Sequence, residues 1–401
     1  ERWKNLNGLW DYSVTGKDAD GPGKLDGEIL VPFPIESALS GVMKRVGPEK
    51  KLWYRRSFEV PSSWSGDRLL LHFEAVDWDT TVWVNGTKVG THKGGYDPFC
   101  FDVTDALREN GPQQVTLGVW DPADAGQQPR GKQVRKPRGI WYTPSTGIWA
   151  TAWLEPVSKA SIEDLEIHSD IDHETLTVKA MGRGTSGDER VKVTALKDGT
   201  KVASGAGTVG EPVTLTVDNP RLWSPEDPFL YDLEVELVND DKVVDSVRSY
   251  FGMRAVSIAK DEHGTTRILL NGEPCFMLGF LDQGFWPDGL YAAPCDEALR
   301  YDVEVTKKLG FNMARKHVKI EPRRWYYWCD KLGLIVWQDM PSANNNGEEA
   351  RQQFRTELKR MIDAHRNHPS IVMWVPFNEG WGQHDTEEIV EMIEKIDPTR
   401  L

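Results

Sequence analysis

Four short apolar runs in the last third of the chain each lead into residues able to do chemistry. Cys275–Phe280 is followed by Asp282, Gln283, Phe285 and Trp286. Phe311–Arg315 ends on Arg315, Lys316 and His317, and Leu334–Gln338 on Gln338, Asp339 and Met340. Ile371–Val375 precedes Asn378, Glu379, Gly380 and Trp381. Carboxylates and amides suit hydroxyl groups, and aromatic faces suit the apolar side of a pyranose, so the set has the composition of a sugar site. Each residue alone has a plainer use: Asp339 as a loop cap, Arg315 as its ion-pair partner, His317 as a satisfied core histidine. Trp374, inside an apolar run, reads as core, whereas Trp381, between Gly380 and Gly382, is better placed for exposure. Glu348-Glu349 and Glu387-Glu388 fall at helix starts, where acids favour the helix dipole.

The elements around these residues must bring them to one place. Each run is followed by a helical pattern, over 296–309, 322–332, 348–365 and 386–396, and buried strands alternating with helices imply a parallel sheet. In such folds ligands meet the carboxyl ends of the strands, where all four polar clusters fall. A doubly wound sheet and a (β/α)8 barrel are both open at this point. No G-x-G-x-x-G or P-loop follows any strand, so no nucleotide site is expected.

Upstream the texture is all β. Residues 1–157 carry short alternating runs bounded by Gly, Pro and Asp, and Asn85-Gly86 marks a hairpin with a type I′ turn. Many short strands predict a sandwich or jelly roll. The polar, Gly- and Pro-rich stretch from Asp121 to Thr146 is long enough to be mobile or functional. Residues 158–257 read as a small immunoglobulin-like sandwich acting as a spacer. The domains are therefore expected at 1–157, 158–257 and 258–401.

Composition narrows the function classes. The 401 residues carry 62 Asp+Glu against 48 Lys+Arg, a net charge of −14, which argues against nucleic acid and makes a neutral ligand the default. No apolar run reaches the roughly 18 residues of a membrane span. The four cysteines, Cys100, Cys275, Cys295 and Cys329, are scattered and read as buried thiols, with no zinc spacing. No cofactor is expected, and no ligand spacing demands a metal ion. The chain opens at Glu1 with no initiator Met and no signal-peptide apolar region, which we read as a trimmed N-terminus, compatible with secretion or a periplasmic location.

The stretch His368-Pro-Ser-Ile-Val-Met-Trp-Val-Pro-Phe-Asn378-Glu379-Gly-Trp381 resembles the signature around the general acid/base of family 2 glycoside hydrolases, which include β-galactosidases, β-glucuronidases and β-mannosidases. The resemblance extends through Leu309–Arg315, Trp328–Asp339, Asn219–Tyr231, Tyr250-Phe-Gly-Met-Arg254 and Leu270–Pro274. Near the N-terminus it includes Asn5–Trp10, Val82–Gly86 and Thr146–Trp149, so it covers essentially the whole chain. It implies a jelly-roll sugar-binding domain, an immunoglobulin-like β-sandwich and the first half of a (β/α)8 TIM barrel.

It also implies roles. Glu379 would protonate the departing glycosidic oxygen and then deprotonate water, and Asn378 would hydrogen-bond the sugar 2-hydroxyl. Arg315, His317, Asp339, Asp282 and Trp381 would form the substrate-binding set. The family's nucleophile is a glutamate near the end of the seventh strand, and no residue here matches it. Four βα units fall short of a barrel of typical length, so we read the chain as a fragment, inactive alone, of a retaining β-glycosidase. Trp337-Gln-Asp-Met-Pro341 is nearer the mannosidase style, and Arg315-Lys-His317 lies between subgroups, which leaves sugar and linkage open. The competing readings are a non-catalytic carbohydrate-binding protein and a half barrel completed by association, and a homo-oligomer is compatible with either.

Overall fold

A computed structural model describes residues 2–401. The N-terminal part packs a six-stranded antiparallel sheet on a four-stranded one, which Ala152–Val157 joins as the last long strand. Alternation explains the packing: along Asp79–Val84 every second residue is buried, with Val82 and Val84 in the core beside Tyr54, Leu71 and Leu117. Asn85 and Gly86 both have positive φ, +52° and +85°, and join Asp79–Val84 to Thr87–Lys93 as the Asn-Gly pair predicts.

A second sandwich follows, with a three-stranded sheet facing a four-stranded one between Ser161 and Phe251. Leu176, Val178 and Ala180 on one sheet pack in the same core as Val191, Val193 and Ala195 on the other. A small antiparallel sheet, spanning Val256–Lys260, Thr266–Leu270 and Glu273–Pro274, leads into the last domain.

There, strands and helices alternate as β1 (Gly279–Asp282), α1 (Asp296–Lys308), β2 (Met313–Lys316), α2 (Arg323–Leu332), β3 (Ile335–Asp339), α3 (Glu348–His365), β4 (Ile371–Val375) and α4 (Thr386–Ile396). The strands are parallel and lie in chain order. A doubly wound sheet would reverse direction at a switch point, so consecutive order identifies an arc of a barrel. Helix α3 shows why the helices sit on the outside: Phe354, Leu358, Met361, Ile362 and His365 form one buried stripe.

One expected strand moves. The apolar run 275–280 predicts a strand, but β1 begins at Gly279, and Phe276 is 81% exposed. The Asn312 side chain holds the approach instead, donating to the Phe276 carbonyl and accepting from the Leu278 N–H.

The domains are bolted together by buried polar groups. Arg254, from the Tyr250–Arg254 motif, donates to the carbonyls of Pro369, Ile371 and Thr399 beneath the barrel. At the opposite interface Glu357 of α3 accepts from Trp78 Nε1 and Gln353 Nε2, at 3.2 and 2.7 Å. Its other oxygen is buried without a partner among the described residues, as is Oδ1 of Asp97. Burial, then the nearby Asp97 charge, raises the Glu357 carboxyl from 4.5 to about 8. A carboxyl raised on folding favours the protonated native state, so its contribution is complete below about pH 4.5 and is lost as the pH rises through about 8. The stability difference between the wild type and Glu357→Gln is therefore expected to narrow and reverse in favour of the variant between pH 5 and pH 8.5. Urea unfolding across that range measures it, and a pH-independent difference would count against the assignment.

Candidate active site

The carboxyl ends of β2, β3 and β4 converge on one charge network. Asp339 closes β3 and is only 1% exposed as a side chain. Its two oxygens accept from Arg315 Nε and Nη2, both at 2.9 Å, in the fork geometry that makes such pairs strong. One of them also accepts from His317 Nδ1 at 3.0 Å and from the Val318 N–H at 3.3 Å. Because Asp339 accepts, the His317 proton sits on Nδ1 and Nε2 is left as an acceptor when the ring is neutral. Arg315 Nη2 reaches on to Asn378 Oδ1 at 3.1 Å. That bond fixes the orientation of the Asn378 amide and leaves its NH2 group free to donate.

Glu379 follows Asn378 and is exposed. Its φ is +52°, a left-handed conformation uncommon outside glycine, and Gly380 and Gly382 next to it are also positive. Val318, a β-branched residue at +48°, is a second outlier on the same face. Such conformations cost of order 1–3 kcal/mol each and collect where function needs them. Gly382 cannot be replaced, since a Cβ would sit 2.0 Å from the Ala343 carbonyl oxygen.

Asp282 lies apart from this network. It accepts from Lys316 Nζ at 2.6 Å and from the Gly284 N–H at 2.9 Å, and Lys316 also bonds Glu321. Burial raises the Asp282 carboxyl but Lys316 outweighs it, so the net effect holds it below the ordinary carboxylate range. It faces a neighbouring cavity of about 310 Å³ with Gln283, Phe285 and Trp286. Among the described residues, no three His, Cys, Asp or Glu side chains are gathered as metal ligands.

The N-terminal domain supplies residues that the strand ends did not point to. Its long stretch 121–146 reaches over the barrel. The Arg130 and Gly131 N–H groups donate to the Ser342 carbonyl, Asn344 donates to Gly126, and Asn346 to the Gln127 side chain. Gly131 passes so close that a Cβ would lie 2.3 Å from the Val318 oxygen. Tyr142 stacks on Phe285 at 3.9 Å, and Trp141 meets Trp381 edge-on at 5.1 Å. The Arg130 guanidinium lies over both tryptophans. One stretch thus touches the loops after all four strands. Its length and its polar, Gly- and Pro-rich composition are the signals the sequence carries for it.

Comparison with known proteins agrees with this architecture. Three sequence models of one family match in order: its sugar binding domain over residues 25–127, the family 2 glycosyl hydrolase domain over 154–254, and its TIM barrel domain over 267–401. A β-galactosidase of Thermoanaerobacter pseudethanolicus is 29% identical over 364 residues, 87% of this chain and 47% of that protein. A β-glucuronidase of Paenibacillus borealis is 27% identical over 99% of this chain and 72% of its own length. The chain thus spans from about half to under three quarters of these relatives. Among solved structures, a β-glycosidase from Bacteroides vulgatus superposes with a TM-score of 0.81 at 23% identity, over 100% of this chain and 53% of that one. A β-glucuronidase from Ruminococcus gnavus in complex with D-glucuronic acid gives 0.83 at 22%, over 99% and 71%. With the domain order, the strand order and three family matches in agreement, the chain belongs to glycosyl hydrolase family 2.

Proposed function

We propose that this chain carries the acid/base half of a β-glycosidase site, with Glu379 as the proton donor to the leaving oxygen and then the base for water. The observation that carries this is the pairing of an exposed glutamate at the end of β4 with an amide already oriented by Arg315 and Asp339. The free NH2 of Asn378 donates to the sugar 2-hydroxyl, a bond that strengthens as positive charge develops at the anomeric carbon. His317 Nε2 accepts from a second hydroxyl, Trp381 offers a stacking face, and Asp339 acts by holding Arg315 and His317. Asp282 supports the neighbouring cavity.

A retaining enzyme needs a nucleophilic carboxylate about 5–5.5 Å from the acid. Asp339 and Asp282, the acids at neighbouring strand ends, have their oxygens engaged by Arg315, His317, Lys316 and backbone N–H groups. Neither is free to attack, so we assign the nucleophile to neither. The test is hydrolysis of 4-nitrophenyl β-galactoside, β-glucuronide, β-mannoside and β-glucoside. The protein expressed from its complete gene is expected to turn over at least one of them, and the 401-residue chain alone none. Robust turnover by the purified chain would overturn the nucleophile assignment, and inertness of the complete protein would overturn the glycosidase reading.

A further inference from the structure

The chain as a whole is acidic, yet nine consecutive positions in the stretch that covers the barrel carry five cations and no acid: Arg130, Lys132, Arg135, Lys136 and Arg138. They lie in a loop closed by a parallel bridge between Gln133 and Tyr142. The Tyr142 N–H donates to the Lys132 carbonyl and the Val134 N–H to Tyr142, with a turn at 138–141. Two of the cations are spoken for: Arg130 donates to the Gly131 and Gln133 carbonyls, and Arg135 pairs with Asp124. Lys136 and Arg138 stand exposed at the tip.

Lys132 differs from all of these. It is only 9% exposed, and its ammonium has no hydrogen-bond or ion-pair partner among the described residues. Burial pushes its pKa down, and Glu379 is the one acid near enough to oppose that. The Lys132 stem is buried while the ammonium keeps some solvent contact, so the charge is held in place and open to an anionic ligand. The loop backbone holds it there, pinned to Ser342 and wedged at Gly131 against Val318, beside the Trp141–Trp381 pair.

We propose that this loop builds a cationic leaving-group subsite, in which Lys132 takes an anionic substituent, a carboxylate or a sulfate, on the unit released from the substrate. The side of the scissile bond follows from the partner. Glu379 must touch the glycosidic oxygen, which departs with the leaving group, while the sugar that is attacked lies over Asn378, Arg315 and His317. A cation that approaches Glu379 from the jelly-roll domain, outside that network, therefore faces the departing unit. The placement rests on the glycosidase reading, but the binding it predicts does not require turnover. Opposite charge in a partly desolvated site also attracts more strongly than at an open surface.

The test uses 1-thio-β-glycosides, which are not readily hydrolysed, of glucose and galactose. Each is made with a 4-carboxyphenyl group and with its neutral methyl ester, and binding to the chain is measured by calorimetry. The acid is expected to bind at least about fivefold more tightly than the ester, with the advantage lost in Lys132→Met, kept in Lys132→Arg and reduced in 0.5 M salt. Equal affinities, no binding of either member, or an advantage that survives in Lys132→Met would each overturn the subsite. So would a preference seen only with phenyl 1-thio-β-D-glucuronide, which would place the anion on the other sugar. Failure of the glycosidase reading shows separately, as a complete protein that binds the acids selectively but hydrolyses none of the matching O-glycosides.

Discussion

Replacing Glu379 by glutamine is expected to cut hydrolysis of alkyl and saccharide β-glycosides by about 10³-fold in the complete protein, within the range that general acid–base catalysis contributes. Glutamine keeps the shape and loses the acidic proton. A poor leaving group needs that proton in the first step, so its kcat/KM should collapse. A 2,4-dinitrophenolate departs without help, so kcat/KM for that glycoside should fall far less. Its kcat should still drop, because water now attacks the intermediate without a base. A small anion such as azide needs no base and should restore turnover. Stability should change by no more than about 0.5 kcal/mol, because the Glu379 side chain makes no hydrogen bond to other described residues and is exposed. An equal fall in kcat/KM for alkyl and dinitrophenyl substrates, or loss of fold and binding together, would mark Glu379 as structural.

That contrast between an exposed reacting residue and a buried support was only partly legible in the sequence. Long periodic patterns set their own limits: the stripe through Phe354, Leu358, Met361 and Ile362 places α3 at 348–365, and Ile389 and Ile393 do the same for α4. The run 275–280 misled because hydrophobicity alone does not separate a strand from an exposed segment tied down by one asparagine, Asn312. At the site, the strand-end rule located Arg315, His317, Asp339 and Asn378 because parallel strands deliver their last residues to one face. It did not reveal that Asp339 lies beneath the others or that Asp282 belongs to a separate network. Lys132, Arg130 and Trp141 were out of reach for a different reason. Their role is created by the docking of two domains, and no local periodicity encodes which loop lands on which barrel face.

The second large effect concerns the support. Asp339→Ala is expected to destabilise the protein by about 3 kcal/mol, at the low end of what breaking a buried ion pair costs, because Arg315 keeps 28% side-chain exposure and recovers some hydration. Three further bonds go with the charge: the second Arg315 contact, His317 Nδ1 and the Val318 N–H. The damage should spread to chemistry. Arg315 without Asp339 no longer holds the Asn378 amide in one orientation, and His317 loses the acceptor that fixes its proton on Nδ1. The double variant Arg315→Met/Asp339→Leu separates the two consequences. Removing both charges leaves no stranded ion, so most of the stability should return, as it does when apolar residues replace buried pairs elsewhere. Activity should not return, because the amide remains unanchored and the pocket has lost its cation. Urea unfolding and kcat/KM on the best nitrophenyl glycoside measure the two separately. If the double variant regains activity along with stability, the network serves the fold alone; if it regains neither, apolar side chains do not pack in that space and the pair is required for the fold itself.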